Sequence, residues 1–170
     1  MFTIVTVRFN NDTWQENIIY RERRAFTCIY APPARLTDSI DLNSSVFVIE
    51  MNNSTNEILG IGLIKNKLVT DRSYKVYEDT NLNRYVYIGE HHISREILNG
   101  YDPILVSILD KILFKGYTHS KRGSGLTKIP EKVLKLDICK DTDIKNTIKN
   151  IFLGHYKDKD KDKDNINLNT

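Results

Sequence analysis

Cysteine is scarce in this chain: two in 170 residues, Cys28 and Cys139, far apart and each in an apolar context. Two cysteines make neither a disulfide framework nor a metal site, and the pattern predicts buried free thiols in a reducing compartment. No apolar run approaches the ~20 residues that span a bilayer, so no membrane contact is expected. The first residues, Met1-Phe2-Thr3-Ile4-Val5-Thr6-Val7-Arg8, lack a basic stretch and a small-residue cleavage site, so no secretion signal is expected. Charge of one sign is also missing, the formal net charge being only +3. Catalytic motifs are lacking too. No Gly-x-Ser-x-Gly elbow is present, and no glycine-rich loop ends in Gly-Lys-Ser/Thr, which removes the serine-hydrolase and phosphate-loop nucleotide-hydrolase classes. No catalytic residue and no cofactor is assigned, and a non-enzymatic role is expected.

What is present is a soluble, globular composition, 40% hydrophobic and 28% charged. One domain is expected over residues 1–156, followed by a disordered charged tail over 157–170. Residues 2–8 read as a strand. A short helix follows over 14–24, with Asn11-Asp12-Thr13 as cap candidates and Glu16 at the capping-box spacing from Thr13. Phe26–Tyr30 reads as a strand stopped by Pro32-Pro33. Val46–Met51 and Glu57–Lys65 form the clearest hairpin, and Tyr74–Tyr77 with Arg84–Ile88 the next strand pair. Helices are expected from Pro103, where Ile104, Leu105, Ile108, Leu109, Ile112 and Leu113 keep 3.6-residue spacing, then over 130–136 and 142–152. Bent, glycine-containing strands with helices appended predict an α+β fold, a small curved or barrel-like mixed sheet with flanking helices.

Positive charge and glycine coincide in one place, Lys115 to Lys128. Lys115, Lys121, Arg122 and Lys128 carry charge with no acidic residue between them, beside Gly116, Gly123 and Gly125. Gly123 and Gly125 allow φ > 0 and close backbone approach, while His119 and Ser120 offer hydrogen bonds. Arg21, Arg23 and Arg24 form a second cluster that extends the path if the fold brings it alongside. A basic patch on a nearly neutral chain is a footprint for a polyanion, the alternative being a solvated surface.

The run Val46-Phe47-Val48-Ile49-Glu50-Met51-Asn52, a polar turn, and Ile58-Leu59-Gly60-Ile61-Gly62-Leu63-Ile64 resembles a central hairpin of the PUA-like barrels, which include the EVE, YTH and ASCH domains. The resemblance covers about twenty residues and implies a compact barrel flanked by helices that binds RNA or modified bases. An aromatic cage of the kind YTH and EVE readers use would draw on Trp14, Tyr74, Tyr77, Tyr85 and Tyr87. The segment Leu113-Phe114-Lys115-Gly116-x-x-His119-x-Lys121-Arg122-Gly123-x-Gly125 resembles uncharacterised proteins of large DNA viruses. That resemblance implies a viral source and an intracellular setting, the cytoplasm or nucleus of a host cell or the virion.

Tyr77, Tyr87-Ile88-Gly89 and Arg95 resemble the GIY-YIG nucleases, which would make Glu131 the metal-binding carboxylate. Here the first element reads Lys75-Val76-Tyr77, without its glycine. Glu90-His91-His92 and Glu96 lack a third ligand at zinc-like spacing and read as a polar strand end, so no metal is assigned. The expected function is a nucleic-acid-binding module, RNA favoured, that contacts phosphates through the basic loop and reads a modified base if the cage forms. The alternatives are a viral structural or adaptor protein whose loop meets an acidic protein surface, and then the nuclease.

Overall fold

The computed structural model describes the backbone of residues 2–167 and the side chains of residues 2–160. The elements run β1 (Phe2–Phe9), α1 (Asn11–Arg24), β2 (Cys28–Tyr30), β3 (Ser45–Asn52), β4 (Glu57–Lys65), β5 (Tyr87–Gly89), β6 (His91–Ser94), α2 (Arg95–Tyr101), α3 (Pro103–Phe114), β7 (Thr127–Lys128), α4 (Glu131–Leu134) and α5 (Ile144–Asn167). The fold is α+β. Five strands form one mixed sheet in the order β6-β4-β3-β1-β7, and β2 and β5 form a separate two-stranded ribbon. The described strands therefore make two sheets, with no hydrogen-bonded ladder closing them into a barrel.

β1 and β3 pair in parallel and every other ladder is antiparallel. Parallel neighbours need a crossover, and α1 lies within it. Both faces of the sheet are covered, which explains the nearly continuous apolar run of β3. Ile4, Phe47, Ile49, Met51 and Ile61 pack against α2, α3 and α5 on one face. Val5, Val7, Phe9, Val46 and Val48 pack against the ribbon and the 31–40 and 74–86 segments on the other. Strand alternation puts Glu50 on this second face with Val46 and Val48.

Several elements differ from expectation. Asn10 rather than residues 11–13 caps α1: its side chain accepts from the Thr13 amide, and the Thr13 hydroxyl accepts from the Asn10 amide. Tyr74–Tyr77 forms no strand with 84–88, because the Asn83 side chain captures the Val76 and Tyr77 amides and donates to the Tyr77 carbonyl. Tyr87–Gly89 pairs with Cys28–Tyr30 instead. α5 continues through 157–167, where a disordered tail was expected. Residues 168–170 of that expected tail lie outside the described residues.

Candidate nucleic-acid interface

α3 ends at Phe114, and Gly116, at φ 76°, turns the chain out of it. The Ser120 amide donates back to Leu113 O at 2.7 Å, and the Lys121 amide donates to His119 Nδ1 at 3.2 Å. The chain then crosses beside β1 and ends in β7, whose Thr127 and Lys128 pair with Thr6 and Val5. Gly123 and Gly125, at φ 97° and 74°, both take the left-handed conformation expected of them.

A residue that sequence reasoning left unassigned holds this loop. Arg8 projects from β1, donating through Nη1 to Ser120 O at 3.0 Å and to Thr6 Oγ1 at 3.1 Å. Its Nη2 donates to Gly125 O at 3.0 Å and to Thr127 Oγ1 at 2.6 Å. Asn53, in the β3–β4 turn, donates to Lys121 O at 2.9 Å. The loop is thus fixed through its carbonyl oxygens by one strand, β1, and one turn.

The loop side chains face water. Lys115, Arg122, Ser124 and Lys128 are exposed, and His119, Ser120 and Lys121 are half-exposed. Tyr117 is 108% exposed, so its ring rests on nothing. An open concavity of about 410 Å³ is lined by Gly116, Tyr117, His119 and Arg122. Tyr117 therefore has the free π-face that the cage candidates lack.

Those candidates are placed elsewhere. Tyr74, Tyr77 and Tyr87 are buried in the second core, and their hydroxyls bond Asp71, Asn17 and the Leu36 amide. Trp14 is half-buried between Phe9, at 5.0 Å, and the Arg21 guanidinium, at 5.2 Å. Tyr85 is half-buried with Arg35 over its ring at 6.0 Å. These rings pack as core and form no open cage. A small cleft of about 60 Å³ joins Tyr77 to Arg8, Pro32 and Gly125, room for about two waters at their ~30 Å³ each.

Arg21 is likewise removed from the surface path. It is buried, and its Nη2 donates to Glu50 Oε1 at 2.8 Å. The Tyr30 hydroxyl donates to the same oxygen at 2.8 Å, and His92 Nε2 lies 2.9 Å from Oε2. Burial pushes the Glu50 carboxyl up, but Arg21 and His92 outweigh it and hold the pKa at about 2. Burial pushes the Cys28 thiol up to about 12. Glu50 is fully enclosed, and the cluster ties α1 and β2 to strands β3 and β6 of the sheet. The two glycines of β4 make room for it. A Cβ on Gly62 would stand 2.1 Å from Tyr30 Oη, and one on Gly60 would stand 3.0 Å from the His92 ring. Glycine on the same face as a glutamate in an apolar strand was the available signal for this cluster.

Arg23 and Arg24 are exposed at the far end of α1. The helix start touches Ser54, next to the Asn53 that holds Lys121. At ~1.5 Å per residue the helix carries both arginines about 20 Å from that end, so they do not continue the loop's patch. The nuclease residues are not brought together either. Tyr77 bonds Asn17, Arg95 makes a two-pronged pair with Asp110, and Glu131 pairs with Lys145. His92 lies in β6 and Glu96 in α2, so they do not share a helix face. Two wider clefts, about 610 and 740 Å³, border the 66–71 segment and share no residue with the loop.

Comparison with protein-family models, curated proteins and solved structures finds no match for this chain.

Proposed function

We propose that the protein is a non-enzymatic nucleic-acid-binding module that takes single-stranded RNA on the loop between α3 and β7. The observation that carries this reading is Tyr117, a fully exposed ring beside Lys115, His119 and Arg122. An acidic protein surface needs only the cations. An exposed aromatic among them suits an unpaired base, which can stack on the ring while its phosphates meet the side chains. Duplex nucleic acid hides those base faces, so the ring favours single strands. A PUA-like arrangement is part of the proposal. It is supported by the ribbon's close seat on β4, where a Cβ on Gly89 would stand 2.2 Å from Leu63 O.

Fluorescence anisotropy with a labelled 12-nucleotide RNA tests this reading. Four phosphate contacts, through Lys115, Lys121, Arg122 and Lys128, give a log–log salt slope near −2.8, an affinity loss of about 50-fold between 50 and 200 mM salt. Lys121→Ala with Arg122→Ala halves the slope and leaves about a sevenfold loss over the same range. Tyr117→Ala weakens single-strand binding by about 5- to 150-fold, and Tyr117→Phe retains it. Absence of salt-dependent affinity for any oligonucleotide refutes the reading. Equal binding of RNA and polyglutamate, unmoved by Tyr117→Ala, assigns the loop to an acidic protein partner instead.

A further inference from the structure

Arg8 is a cation without a carboxylate. Its guanidinium donates four hydrogen bonds, all to neutral oxygens, those of Thr6, Ser120, Gly125 and Thr127. Its Nε is buried without a partner. The other arginines held inside this fold have acids: Glu50 pairs with Arg21, and Asp110 with Arg95. Burial disfavours the charge on Arg8, and nothing among the described residues compensates it.

The loop above Arg8 is turned with its carbonyls inward. The oxygens of Ser120 and Gly125 point to Arg8, and that of Lys121 to Asn53. In a trans peptide the N–H points opposite to the C=O, and no peptide here is cis. The amides of Lys121, Arg122 and Leu126 therefore face away from the scaffold. His119 Nδ1 takes the first of these. Those of Arg122, Gly123 and Ser124 make no hydrogen bond among the described residues. A Cβ on Gly123 would lie only 4.0 Å from Arg8 Cζ, so the glycine sits directly over the guanidinium. The outward amide of Arg122, the unpaired amides of Gly123 and Ser124 beside it, and an uncompensated charge beneath them supply what an anion site requires, free donors and positive charge.

We propose that the outer face of residues 122–124 binds one phosphate group, with Arg8 beneath it as the fixed counter-charge. Lysine side chains meet phosphates as mobile point charges, whereas this site is preformed by backbone that Arg8 already holds. The proposal uses the same loop as the RNA reading and does not require it. The phosphate belongs either to a nucleic-acid backbone or to a free phosphate compound, and the two sources are separable.

The test is a ¹⁵N amide NMR titration of the full chain at constant ionic strength. One arm adds inorganic phosphate against a chloride control, and the other an abasic oligonucleotide that offers phosphodiesters without bases. The expected result is a saturable shift confined to the amides of Arg122, Gly123 and Ser124. Arg8→Met then weakens phosphate by about 3- to 50-fold, the range for a unit charge roughly 7 Å away in surroundings between bulk water and protein surface. Arg8→Lys, which keeps the charge, retains most of the affinity. Absence of a saturable shift in the wild-type chain in both arms overturns the site without recourse to any variant. Equal affinity in wild type and in an Arg8→Met chain with an unchanged loop spectrum overturns the role of Arg8. Salt-dependent RNA binding with silent 122–124 amides sinks this site and spares the RNA reading. Phosphate binding without oligonucleotide binding does the reverse.

Discussion

Replacing Arg21 with Met removes one cation from a carboxylate that is 0% exposed. The Glu50 charge would remain in the protein with the Tyr30 hydroxyl and His92 as its partners. Leaving a buried charge undercompensated costs about 3–5 kcal/mol, far more than the ~1 kcal/mol of an exposed pair. The contacts of Arg21 with the Trp14 and Tyr30 rings, at 5.2 and 5.6 Å, are lost as well. Trp14 is the chain's single tryptophan, so its fluorescence in a urea titration reports directly on this region. With a slope of ~2 kcal/mol per molar, a 4 kcal/mol loss lowers the midpoint by about 2 M. Removing the acid as well, in Arg21→Met with Glu50→Met, eliminates the stranded charge. The Tyr30 hydroxyl then loses its acceptor at a cost of about 1–3 kcal/mol, which places the double variant between the single and wild type. The two effects must couple, because each group is costly only when the other is absent. A single variant that loses under ~1 kcal/mol, or a double variant no more stable than the single, refutes the argument.

The same cluster sets an acid response. The Glu50 pKa is depressed from the ordinary 4.5 to about 2, so its contribution is complete above pH 5 and is lost as pH falls from 4.5 toward 2. The difference, 4.5 − 2 = 2.5, corresponds to about 3 kcal/mol, and the Glu50→Gln chain should lack that part of the pH dependence in urea titrations at pH 5 and pH 2.5. Gly62→Ala drives a Cβ to 2.1 Å from Tyr30 Oη and must displace the hydroxyl from Glu50, an expected loss of about 2–4 kcal/mol. Gly154→Ala, on α5 with nothing within 4 Å of its Cβ, should instead gain up to ~1 kcal/mol in the same assay.

What could be read from the chain was what depends on near neighbours. The hairpin of β3 and β4 is a local pattern of apolar runs around a polar turn, and α3 announces itself by Pro103 and a regular apolar spacing. The loop's charge and its glycines are local too, and the glycines have the positive φ that their type suggests. The parallel pairing of β1 with β3 was hidden, because a crossover leaves no mark on either strand. α1 was misleading for a different reason. Its inward face carries Asn17 and Arg21, polar residues that are buried only because Tyr77, the Ile29 carbonyl and Glu50 meet them from distant segments. Arginines at 21, 23 and 24 look alike in sequence, yet one is a core ion and two are solvated. Tyrosines divided in the same way: those in the strand-like runs became core, and Tyr117, in the loop, stayed free.

Arg8 marks the limit of such reading. It stands in an alternating strand, where a charged residue ordinarily signals a solvent-facing position. Two of its four partners are backbone carbonyls of a segment more than a hundred positions away, and a carbonyl has no side-chain identity to be recognised by. A carboxylate in its place would have been visible as a candidate pair, and would have neutralised the charge. The feature that makes Arg8 illegible, satisfaction by neutral carbonyl and hydroxyl oxygens, is therefore the feature that leaves its charge available beneath the loop. Placing a carboxylate there makes this testable. Thr127→Asp puts an acid at the position now bonded to Arg8 Nη2 at 2.6 Å. The new ion pair should hold the loop at least as firmly while lowering phosphate affinity in the same titration, by adding a negative charge and cancelling the one below. Retained stability with lost affinity is the outcome an electrostatic role for Arg8 predicts, whereas unchanged affinity would reduce Arg8 to a structural clamp.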